Sequence, residues 1–76
     1  MQIIKIKEWC DANITPMAWQ RVALKILPDL REQNISLSEI QNPNDSLVIE
    51  NRYVIQIDNI IQELYEVELP KELKVI

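Results

Sequence analysis

The chain opens on a short period and then settles into a helical one. From Gln2 to Lys7, Ile4 and Ile6 fall on one side of an extended backbone and Lys5 and Lys7 on the other, which fits a short strand. Lys7 to Ala12 fits equally a first helical turn that carries Trp9 inward, with Asn13 as its stop. Thr15-Pro16 is the clearest helix start, a Thr N-cap followed by Pro at the first helical position. Trp19, Val22, Ala23, Ile26, Leu27 and Leu30 then recur at helical spacing, with Gln20, Arg21 and Lys25 on the other side. Pro28 removes a backbone donor and disfavours helix at Leu27, so the helix is expected to end or kink there. A short turn closed by Asn34 follows.

Ser36 and Glu39 stand at capping-box spacing and open a brief helical turn, which Asn42-Pro43 stops; residues 42–46 read as a loop. Leu47-Val48-Ile49 and Arg52 to Ile57 read as two strands about a turn at Glu50-Asn51, with Tyr53, Ile55 and Ile57 on one face. Asp58 is placed to cap a helix from Asn59 to about Glu66, and Pro70 separates this from a last strand over 72–76 that could pair with the N-terminal segment. The expected order is β-α-α-ββ-α-β, an α+β fold in a single domain over 1–76.

Composition removes whole classes of chemistry. The chain has no histidine and no glycine, so it carries no Ser-His-Asp or Cys-His catalytic set, no Cys₂His₂ zinc site and no glycine-dependent phosphate loop. A single cysteine closes no intramolecular disulfide, and Cys10 reads as a small buried apolar residue. No apolar run is long enough for a signal peptide or a membrane span, which makes a soluble cytoplasmic protein the expectation. The reading is non-catalytic, with no cofactor, no metal, no membrane and no small-molecule substrate.

The net charge of −4 is unevenly placed. Residues 1–31 hold five basic groups against three acidic, whereas residues 32–76 hold three against nine, and no acidic residue lies between Asn13 and Pro28. A −4 protein is repelled by phosphate unless its charge is segregated, with its few cations on one face and the acidic half opposite.

Two helices, a hairpin and a closing helix form the layout of a winged helix-turn-helix. The motifs that carry it are Ile6-Lys7-Glu8-Trp9, the capped Thr15-Pro16-Met17-Ala18-Trp19-Gln20-Arg21, and Asn51-Arg52-Tyr53-Val54-Ile55 at the wing. Over residues 4–66 the chain resembles the small excisionase and MerR-like proteins of phages and mobile elements. That resemblance implies a DNA-binding accessory or regulatory protein. Its helix from Thr15 would present Gln20, Arg21 and Lys25 to a major groove, and Arg52 at the wing would reach the backbone or a minor groove. The chain departs from the family in a less basic recognition helix, a longer connection over 29–46 and Asn51 in place of the wing glycine. Its partners would be duplex DNA, a DNA-binding protein, or a second copy in a homodimer.

Each of these residues also has a plainer reading. Arg21 and Lys25 suit a solvated helix face, and Trp9 and Trp19 suit a core. A rival functional reading uses the acidic half: Glu63, Glu66 and Glu68 would dock a basic, nucleic-acid-binding partner and occlude it, as phage- or plasmid-type inhibitors and antitoxin-like factors do.

Overall fold

Thr15 caps the longest helix as the sequence predicts: its hydroxyl oxygen accepts from the Ala18 amide at 3.1 Å, and Pro16 opens the first turn. The computed structural model describes residues 1–74. Its helices are α1 (Ile3–Asn13), α2 (Pro16–Arg31), α3 (Leu37–Gln41) and α4 (Asn51–Tyr65), followed by a 3₁₀ turn over Lys71–Leu73. α2 packs against α1, α3 and α4 and is the hub of the molecule.

The expected α+β architecture is overturned. No strand forms among the described residues; a lone antiparallel bridge joins Gln2 to Val48. The N-terminal segment is helical because Ile3, Ile6 and Cys10, at helical spacing, are all buried. The hairpin and wing are replaced by α4. A two-residue hairpin turn at Glu50-Asn51 would need positive φ at Glu50, which instead sits extended at φ −70, ψ 154. Tyr53, Ile55 and Ile57 do alternate, but burial follows Tyr53, Val54, Ile57 and Ile61, a helical stripe, and leaves Ile55 outside. With the wing gone, the winged helix-turn-helix layout does not describe this chain. Of the expected last strand, Lys71–Leu73 is a 3₁₀ turn, while residues 75–76 lie outside the described residues.

One helix limit also differs. α2 runs through Pro28 to Arg31. The proline deprives the Leu24 carbonyl of its helical donor, but Leu24 and Pro28 both face water, which can supply one, and continuing the helix buries Leu30. α3 matches expectation, with the Ser36–Glu39 capping box formed in both directions.

The core is one cluster built around Trp19, Ile6, Ile26, Leu30, Ile57 and Ile61, with Trp9 half-buried against it. Trp19 is fully buried, and its Nε1 donates to the Ile40 carbonyl at 2.8 Å.

Asp58, expected as a cap, lies mid-helix and buried. Its Oδ1 accepts from the Leu69 amide at 2.9 Å, and its Oδ2 accepts from Gln62 Nε2 at 2.9 Å and pairs with Lys74 Nζ at 3.5 Å. This carboxylate ties the segment after α4 back onto the helix and so seats Leu69 in the core. Lacking glycine, the chain ends α4 at Glu66 with φ 57, a position that penalises any residue with a Cβ.

Asp58→Ala leaves the Leu69 amide without its acceptor, and the chain should lose about 1–3 kcal/mol of stability in urea titration. Amide exchange should rise over residues 67–74, and unchanged exchange there would refute the tether. Glu66→Gly should raise stability in urea titration by about 0.5–1 kcal/mol through relief of the left-handed strain.

Candidate interaction face

The residues singled out from the sequence for DNA binding fall on or at the start of two neighbouring helices. On α2, Thr15 is exposed at the N-terminus, Gln20 is half-buried, and Arg21 and Lys25 are exposed one turn apart. Arg52 is no wing tip; it stands in the first turn of α4. Its Nε lies 3.2 Å from Glu50 Oε2, and its guanidinium lies 4.8 Å from the centre of the Tyr53 ring. The exposed Glu50 carboxylate offsets part of the charge Arg52 would offer a phosphate.

Glu63 is exposed on α4, Glu66 is the left-handed cap, and Glu68 is exposed in the segment beyond. The structure does not set Glu63 opposite the basic residues. Lys25 and Asp29 of α2 line an open groove together with Gln56, Asn59, Ile60 and Glu63 of α4. Lys25, a candidate for DNA, and Glu63, a candidate for a basic partner, therefore share one concavity. Among the described residues neither belongs to an ion pair, whereas Lys7, Arg52 and Lys74 each do.

Sequence reasoning missed the apolar part of this face. Met17 is 64% exposed and Leu24 57% exposed, seven residues apart on α2, with Arg21 between them on the same side. The signal was present: both residues lie outside the apolar stripe of Trp19, Val22 and Ile26, on the arc that holds the cations. Ile55 adds an exposed apolar group on the outward arc of α4, which by helical spacing also holds Arg52, Asn59 and Glu63.

Among the described residues no three acidic or thiol side chains converge on a point that could hold a metal, and no helix is long and apolar enough to cross a membrane. Cys10 is buried in α1, where removal from water, with a smaller contribution from the Asp11 charge, pushes its thiol up to about 12. Such a thiol is protonated at neutral pH and is a poor nucleophile.

In comparisons with known proteins the chain matches no family model, and no curated protein and no solved structure is significantly similar to it.

The native Cys10 thiol should resist a disulfide reagent at pH 8 and react once urea unfolds the chain. Because the folded chain holds this proton more tightly than the unfolded one, the contribution is complete below the ordinary value of 9.0 and fades as pH rises toward about 12. Cys10→Ser should abolish that part of the alkaline loss of stability in pH-dependent urea titration. A native thiol that reacts as fast as the unfolded one would contradict the burial.

Proposed function

We propose that this chain is a small non-catalytic binding module that docks a protein through the outward face of α2. The observation that supports this is the pair Met17 and Leu24. Two large apolar side chains stand on one stripe of a helix whose other side forms the core, with Arg21 between them. Scattered apolar residues on a surface are ordinary, but a stripe of them beside an arginine has the make-up of a protein interface.

A second reading keeps α2 as a DNA-reading helix. It is favoured by the exposed Thr15 end, by Arg21 and Lys25, and by the absence of acidic residues from Asn13 to Pro28. It is weakened by Glu63 and Asp29, which stand beside Lys25 in the groove, and by Glu50 on Arg52. Phosphate neutralisation supplies most non-specific affinity, and this face offers little positive charge without an acid beside it.

Photo-cross-linking in the source cells separates the two. A photoreactive amino acid in place of Leu24 should give a protein adduct that Met17→Asp abolishes, while the same group at exposed Lys71 should not. An adduct to DNA, or none from position 24, would overturn protein docking. In fluorescence anisotropy, duplex DNA at low salt should stay unbound up to about 0.1 mM protein; binding in the micromolar range that falls steeply with salt and with Arg21→Ala would establish the DNA reading instead.

A further inference from the structure

Resting on the reading of α2 as a docking surface, we propose that its occupant is a second copy of this chain. The two copies are related by a two-fold axis, so that Lys25 of each meets Glu63 of the other across the α2–α4 groove.

The groove itself selects this occupant. One wall carries Lys25, the other Glu63, and Asp29 lies one turn beyond Lys25. A uniformly acidic partner would satisfy Arg21 and Lys25 but be repelled by Glu63 and Asp29. A uniformly basic partner meets the reverse problem, and duplex DNA meets the first. The surface that fits must carry both signs in the inverted order. A two-fold copy supplies that order by symmetry, because in such an interface residue i contacts j and j contacts i.

The intramolecular alternative is not taken: among the described residues Lys25 and Glu63 form no ion pair, although they line the same groove. Both charges therefore stay available to a partner. The exposed Met17 and Leu24 flank Arg21 on the same helix, outside the residues that line the groove, and offer apolar area beside it. Size permits it. A standard interface takes about 800 Å² from each partner, about one sixth of the 4726 Å² this chain exposes.

Sedimentation equilibrium of the full chain from about 1 μM to about 1 mM tests the proposal. The expected result is a monomer–dimer equilibrium within that range. Lys25→Glu and Glu63→Lys should each weaken it by at least about tenfold, since each turns two attractive contacts into two repulsive ones. An equimolar mixture of the two variants should regain the dimer, because every contact between them again joins opposite charges. A monomer throughout, a dimer indifferent to both reversals, or a mixture that fails to recover would each overturn the proposal.

Circular dichroism establishes that the variants fold. Should either reversal unfold the chain, Leu24→Asp at an exposed helix position replaces it, with loss of the dimer supporting the proposal and an undiminished dimer overturning it. The cross-link from position 24 keeps the two readings apart. A monomeric chain that cross-links to a different protein rejects the second copy and retains α2 as a docking surface, whereas a monomer with no adduct rejects both.

Discussion

The hydrogen bond from Trp19 Nε1 to the Ile40 carbonyl, 2.8 Å long and fully inside the protein, is the contact on which the arrangement of helices turns. α3 has only five residues, far short of what holds a helix in water without tertiary contacts. Its capping box organises the first turn, but its docking comes from Ile40, whose side chain enters the core and whose carbonyl meets the indole. An indole buried without an acceptor would carry an unsatisfied donor, so the largest side chain of the core and the shortest helix need each other. Trp19 sits on α2, which also packs on α1 and α4, so this one residue sets the position of α3 relative to everything else.

Asp58 plays the corresponding part at the other end. Like Trp19 it is a polar group on the buried side of a long helix that bonds the backbone of an irregular segment. Together the two explain how a 76-residue chain without glycine or a disulfide keeps its connections in place. The left-handed positions that such connections require fall to Asn34, which tolerates them, and to Glu66, which does so at a cost. A small core leaves few kcal/mol to spare, so fixed connections matter more here than in a larger domain.

With the connections fixed, α2 and α4 lie side by side and present one outward face. Its chemistry is mixed: Lys25 and Asp29 of α2 share the groove with Glu63 of α4, and Met17, Arg21 and Leu24 are exposed on α2. Neither a wholly basic nor a wholly acidic surface results, although the charge along the chain divides into a basic first part and an acidic remainder. Separation in sequence is not separation in space, because packing α4 against α2 brings Glu63 beside Lys25.

Local signals were legible along the chain. The Thr15-Pro16 start of α2, its apolar stripe, the Ser36–Glu39 box and the stop at Asn42-Pro43 all depend on groups within one or two turns of each other, and all are present in the fold. The missing histidine and glycine likewise limit the chemistry whatever the chain folds into. The segments around Ile4–Ile6 and Tyr53–Ile57 were not legible, because β-branched residues close together satisfy periods of 2 and of 3.6 alike over so short a stretch. Only packing resolves them: Ile3, Ile6 and Cys10 meet α2, and Val54 goes inward where a strand would have turned it out. The same holds for Asp58, whose capping position on paper became a buried anchor once Leu69 folded back upon it, and for Lys25 and Glu63, which lie 38 positions apart in the chain and come to one groove because two helices share a core.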